Sequence, residues 1–345
     1  MRPGSPALGA ASALALALVA IALSADFLSP SPPSTHNLEM PYAPPTRVHW
    51  IDTAGRFHLR PFVHRYELVD PLNLRYQERT DAAYPLEFFA RAWDYRFAGL
   101  IPASRHLIQA GSGGNLFLLG ADELGRDVLA RTLAGARTSL TVVLVGIVIY
   151  AAVGLAIGGL AGMLGGWIDH GLMRFSEFVL ALPALYLILA LRALLPQGTP
   201  YWQTLLVTVG TIALVAWPPM ARGIRGLLLQ LRSSPYVEAA RGLGGTPWQI
   251  FSRHMLRELA PFALTQTALA APIFIMGEVL LSYLGVGFQD TDASWGTMLQ
   301  KAQDVRVVTD FWWNLAPLPL VFAALLCLNV AAVRGLGRDT ARITL

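Results

Sequence analysis

Lysine is almost missing from this chain. Of its 26 basic residues, only Lys301 is a lysine and the rest are arginine, and Lys301 is followed by Ala302. No GxxxxGK[ST] loop can therefore exist to cradle a phosphate. HExxH and GxSxG are also absent, which removes the two-histidine zinc helix and the nucleophile elbow. The single cysteine, Cys327, lies in an apolar run, so intrachain disulfides and cysteine-based metal sites are excluded. Charge is scarce too: 14% of residues are charged and 54% hydrophobic, the balance of a polytopic membrane protein. The net charge of +4 is not gathered into a basic, aromatic-interleaved patch, so no nucleic acid partner is expected. No catalytic residue, metal or cofactor is expected, and any driving energy must come from a partner.

What is present is a series of apolar runs. Six spans are predicted: Pro3 to Ala25, Thr138 to Ile168, Leu172 to Leu195, Tyr201 to Ala221, Phe262 to about Leu284, and Phe311 to Val333. A cleaved signal peptide is the alternative for the first, because Leu23-Ser24-Ala25 weakly resembles a cleavage site. Gly154, Gly158, Gly162 and Gly166 recur every fourth residue and predict a smooth helix face for close packing. Pro183 predicts a kink in the third span, and Arg174 and Glu177 are spaced to pair. Glu278 lies inside the fifth apolar run, where a carboxylate should face protein or water rather than lipid.

Residues 29–137 are of different composition, with twelve Arg against eleven acidic residues and no long apolar run. Val48 to Asp52, a TAGR turn and Phe57 to Val63 predict a hairpin. Pro30 to Pro45 reads as a proline-rich linker. His49, His58 and His64 lack any spacing that fixes a metal site, and surface or packing roles are expected. From Leu119 to Leu140, Leu124, Val128, Leu129 and Leu133 oppose Glu123, Arg126, Asp127 and Arg131, predicting an amphipathic helix at the membrane interface.

Tyr236 to Arg257, YVEAARGLGGTPWQIFSRHMLR, predicts two short helices and a sharp break. Ser234 suits an N-cap and Pro235 the first helical position. Gly244 and Gly245 end that helix, and Thr246, Pro247 and Gln249 start the next through a capping box. Tyr236, Ala240 and Leu243 form an apolar stripe, while Ala239 and Gly244 keep the helix slim. Such a helix suits entry into another protein's cleft.

These residues carry a resemblance. EAARGLG with the following His-x-Leu resembles the EAA motif of ABC-importer permeases, mapping onto Glu238, Ala239, Ala240 and Gly244, then Ile250, His254 and Leu256, beside Tyr236. Arg257 stands where that family usually has proline. Residues 119–140 resemble the segment leading into the permease core of the dipeptide/oligopeptide/nickel branch. Residues 281–299 resemble its extracytoplasmic loop at Gly285, Gly287, Trp295 and Gly296, with Gln289 to Asp292 replacing the usual proline-containing turn.

The resemblance implies an all-α polytopic fold of six helices, with an extracytoplasmic mixed α/β insertion between spans 1 and 2. Its parts would be an anchor (1–28), the insertion ending in the amphipathic helix (29–137), and a five-helix core (138–345) with a cytoplasmic EAA loop (222–260). The implied partners are a second homologous permease, two ATPase subunits, an extracytoplasmic substrate-binding protein and the lipid membrane. The EAA motif would couple to the ATPases, and the implied location is the inner membrane. Six Arg against two Glu from Arg222 to Glu258, versus four Asp against two cations from Gly285 to Asp310, put the EAA loop and both termini in the cytoplasm. A membrane-anchored sensor is the alternative. The substrate is not legible.

Overall fold

The computed structural model describes residues 6–193 and 199–343. Pro3 to Ser5 of the first expected span and Leu194 and Leu195 of the third lie outside the described residues, as do the side chains of Arg334, Arg338 and Arg342. The chain forms two compact units. One comprises Met1–Ala15, Thr141–Leu281 and Leu325–Leu345; the other comprises Leu16–Leu140 and Ser282–Ala324.

Helices α1 (Pro6–Leu23) and α2 (Ala25–Leu28) open the chain, and six strands follow. Strands β1 (Val48–Ile51), β2 (Phe57–Asp70), β3 (Arg75–Phe88) and β6 (Ile108–Ala110) make one antiparallel sheet in the order β1-β2-β3-β6. β4 (Arg91–Phe97) and β5 (Ile101–Arg105) form a separate hairpin. The predicted β1–β2 hairpin is present, its turn held by Asp52, whose carboxylate accepts from the Ala54 and Arg56 N–H groups at 2.9 Å. Val63, Leu86 and Leu116 form the sheet's buried core. Between Ser29 and Leu118 the described elements are strands only, so this region is β rather than mixed.

Two corrections follow in this unit. The Pro30 to Pro45 segment is no free linker: Ala43 accepts from the Ala121 N–H at 2.8 Å, Thr46 donates to Phe117 at 2.8 Å, and Met40 and Ala43 are buried against Phe117. Residues 119–127 are not helical. Gly125 takes φ +68°, Asp122 accepts from the Leu124 and Arg126 N–H groups, and Ala121 pairs with Asp127, which together make a tight turn. The helix α3 (Val128–Leu164) begins only afterwards, with the Asp127 carboxylate accepting from the Leu129 N–H at 2.9 Å as its cap. The histidines meet ordinary partners: His58 lies 3.0 Å from Asp52, His49 lies 3.2 Å from Glu78, and His64 Nδ1 donates to the Ala82 carbonyl at 2.8 Å.

The other unit is helical. After α3 come α4 (Gly166–Ala181), α5 (Ala184–Ala193), α6 (Tyr201–Ala216), α7 (Pro218–Arg232), α8 (Pro235–Gly242), α9 (Pro247–Ile250) and α10 (Leu256–Tyr283). α11 (Trp295–Gln300) and α12 (Val305–Asp310) belong to the unit that holds the strands, and α13 (Pro317–Ile343) closes the described chain. Among the described residues, three helices are long and apolar enough to cross a membrane: Val128–Leu164, Pro247–Tyr283 and Trp312–Ala331. The pair α6 and α7 makes a fourth if its 49° bend is one broken span. The expected span Tyr201 to Ala221 is thus interrupted at Trp217, where Pro218 and Pro219 cannot supply the N–H groups a continuing helix needs. The expected third span is likewise two helices, broken before Pro183.

Glycine decides how closely α3 and α7 approach. A methyl group added to Gly154, Gly158 or Gly162 would overlap Met220, Ala221 or Leu228. Gly166 does not belong to this ladder: it sits at φ +60° past the end of α3 and faces open space. Trp217, Val179 and Ala221 complete a buried cluster with Val153 and Ile157. Arg174 pairs with Glu177 at 3.0 Å as spaced, and Arg225 forks onto Asp169 at 2.9 and 2.6 Å, tying α7 to α4. Glu278 is fully buried in this unit and so faces protein.

Candidate functional site: an exposed helix–turn–helix and an ionic clasp

α8 begins where Ser234 and Pro235 predict. Ser234 has an extended backbone but makes no side-chain cap; its hydroxyl donates back to the Leu231 carbonyl at 2.6 Å instead. The helix ends in a Schellman turn. Gly244 takes φ +83°, its N–H donates to Arg241, and the Gly245 N–H reaches back to Ala240 at 3.0 Å. No atom lies near a side chain built on Gly244, whereas one on Gly245 would press on the Ala240 carbonyl and Ile250. Gly244 is thus required for backbone conformation, and Gly245 for close approach.

The chain then restarts as read. Gln249 N–H donates to Thr246 Oγ1 at 3.3 Å, and Thr246 N–H donates to Gln249 Oε1 at 3.1 Å. The second helix is not a separate short piece. It runs through a π-helical turn at Phe251–Met255 directly into α10.

Burial reveals which face is free. Val237, Ile250, Met255 and Leu259 are buried and fix the segment to its own unit. Tyr236, Glu238, Ala239 and His254 face solvent, Ala240 is half-buried, Leu243 is 90% exposed and Trp248 is 69% exposed. The stripe Tyr236–Ala240–Leu243 is therefore mostly outward-facing, and Val237, absent from that stripe, carries the inward contact. Trp248 escaped the sequence reading although it stands just past the break. Large apolar groups left exposed along one short segment suit a surface made for contact.

The chain is similar to known membrane proteins. The family profile described as "Binding-protein-dependent transport system inner membrane component" matches residues 154–335. A protein of Brucella ovis, named as a peptide permease, is 36% identical over 61% of this chain and 68% of its own. The dipeptide transport system permease protein of Bacillus subtilis is 36% identical over 57% of this chain and 59% of its own. The oligopeptide transport system permease protein of the same organism is 33% identical over 57% and 62%. The chain belongs to this family.

A second constellation of this inner-membrane component joins residues 119–140 to residues 282–301. Arg126 Nε donates to Asp122 at 2.7 Å and its Nη2 to Asp290 at 2.7 Å, while Arg131 Nη2 reaches Asp290 at 3.0 Å. Lys301 Nζ donates to Glu123. Arg126 and Arg131 are each only 2% exposed. The polar side expected to lie at the membrane interface is instead turned inward, because only paired arginines can be buried at tolerable cost. Burial works to raise the Asp290 carboxyl, but Arg131 and Arg126 outweigh it and hold the group below the ordinary carboxylate range. Burial pushes the Asp127 carboxyl up to about 7.

The loop residues named for resemblance surround this clasp. Trp295 is fully buried and its Nε1 donates to the Thr132 carbonyl at 3.1 Å. Gly296 is buried beside it, and Gly135 leaves the room that the Trp295 ring occupies. Gly285 takes φ +77°, and any side chain on Gly287 would overlap Ser282. Asp290, at the departure from the family's proline-containing turn, is the acceptor both arginines share.

Proposed function

We propose that this chain is the permease subunit of an ATP-driven importer of peptides, with residues 234–259 as the surface that docks on its ATPase partners. The observation carrying this reading is the exposed face of Tyr236, Leu243 and Trp248, set on a capped, rigid break in a chain of this family. Peptide as substrate class is supported by the names of the similar permeases. The complex contains a second homologous permease, two ATPases and an extracytoplasmic binding protein that selects the substrate. ATP binding closes the ATPases, their motion is delivered through α8 and the π-turn, and α10 carries it into the spans. Coupling of this kind requires contacts that differ between the two access states.

The chain crosses the membrane six times, α4 with α5 and α6 with α7 each serving as one broken span. Both termini and the loop 222–260 are cytoplasmic, and residues 29–137 lie outside. The arginine asymmetry supports this orientation. In a Cys327→Ala background, single cysteines at Ser233, Asp292 and Thr340 are treated with an impermeant thiol reagent on intact cells. Only the one at 292 labels; labelling at 233 from outside contradicts the topology. The function itself is tested by reconstitution with the partner subunits: binding-protein-stimulated ATP hydrolysis and peptide uptake appear together, and uptake without ATP refutes it.

A further inference from the structure

The β4–β5 hairpin is bonded along the end of the first apolar helix. The Ala98 N–H donates to the Leu23 carbonyl at 3.3 Å, the Leu107 N–H to Phe27 at 2.8 Å, and His106 Nδ1 to Asp26 at 2.8 Å. α1 has 18 residues, about 27 Å at the usual rise, close to the thickness of a hydrocarbon core. No charge occurs from Pro3 to Ala25, and Asp26 is the first carboxylate of the chain. The apolar layer that α1 crosses must therefore end beside Leu23, the residue whose carbonyl the hairpin turn holds.

The hairpin tip at that level is apolar and uncovered. Leu100 is 82% and Ile101 63% exposed, and Phe97 is exposed as well. On α1, Leu16, Val19 and Leu23 are exposed, so the outward apolar surface of the helix continues across the bonded turn. Arg96 is exposed beside the tip; behind it stand Trp93 and Tyr95, half-buried rings with polar handles, and at the open end the exposed Arg91 and Arg105, against one strand carboxylate, Asp94. An apolar tip with amphipathic rings and cations beside and behind it suits a membrane–water interface.

We propose that the β4–β5 hairpin lies in the outer leaflet's interface, with Leu100 and Ile101 in contact with acyl chains and its arginines at headgroup phosphates. This rests on the reading that α1 crosses the membrane. The hairpin would brace the insertion against the bilayer and set its height.

The test places nitroxide labels on single cysteines, Leu100→Cys, Leu59→Cys and Leu16→Cys, in a Cys327→Ala background, using the full chain in anionic phospholipid nanodiscs. Accessibility to oxygen, which enriches in lipid, is compared with that to an aqueous nickel chelate. Position 16 is expected to favour oxygen strongly, position 100 to favour it at shallow depth, and position 59, equally exposed on the four-stranded sheet, to favour the chelate. Position 100 reading like position 59 overturns the proposal while leaving the anchor intact. Shielding of position 100 from both reagents means a protein covers the tip and also overturns it. Chelate-dominated access at position 16 removes the anchor reading, and the proposal with it.

Discussion

The segment 234–259 and the clasp around Asp290 use similar material in opposite ways. Each combines positive-φ glycine, a capping box and charged groups beside an apolar helix. In the clasp the arginines and the large ring turn inward: two buried arginines share one aspartate, and Trp295 is enclosed. In the exposed segment the backbone is equally well terminated, yet Leu243 and Trp248 turn outward. The contrast teaches that motif chemistry fixes the backbone, whereas burial tells whether a segment completes its own chain or awaits another.

The comparison is broken most severely at the clasp. Asp290→Ala leaves two buried guanidinium groups without their shared acceptor, a loss of about 3 kcal/mol, and is expected to lower the thermal midpoint of the purified protein markedly. Arg126→Ala combined with Asp290→Ala should cost much less than the sum of the two single changes, which a double-mutant cycle checks. A smaller effect is expected at Gly244→Val. A β-branched residue at φ +83° is strained by about 1–3 kcal/mol, but no neighbour is struck within the chain. Membrane level should persist while transport falls.

Trp248→Ala and Leu243→Ala sharpen the contrast, because removing exposed groups should leave the stability within about 0.5 kcal/mol of wild type yet lower ATPase stimulation several-fold. Glu238→Ala, exposed and outside the apolar pair, should be milder still. The smallest effect is pH-dependent. Asp290 is held below the ordinary carboxylate value, so its contribution is present above the unfolded value of about 4 and is lost as pH falls through the folded value. The difference in thermal midpoint between wild type and Asp290→Asn should accordingly shrink as pH is lowered below that point.

Local signals were legible where a few neighbouring residues decide the outcome. The capping box at Thr246, the positive φ at Gly244 and the β1–β2 hairpin each follow from adjacent side chains and appear as read. Outcomes that depend on distant partners were not legible. The alternation from Leu124 to Leu133 suits an amphipathic helix, but Asp122 and Gly125 close a turn before the helix can start, and Asp290, far along the chain, then buries Arg126. Proline 218 breaks an apolar run that hydropathy alone reads as one span. On α8 the outward stripe was legible, but the inward contact was not: Val237, outside that stripe, is the residue that is buried.

The central claim is that residues 234–259 transmit ATPase motion rather than merely connect α7 to α10. It is tested most directly with Gly244→Val reconstituted beside wild type with the partner subunits, measuring binding-protein-stimulated ATP hydrolysis and peptide uptake on the same vesicles. The account predicts equal incorporation and loss of both activities in the variant. Full stimulated hydrolysis and full uptake by Gly244→Val would contradict it.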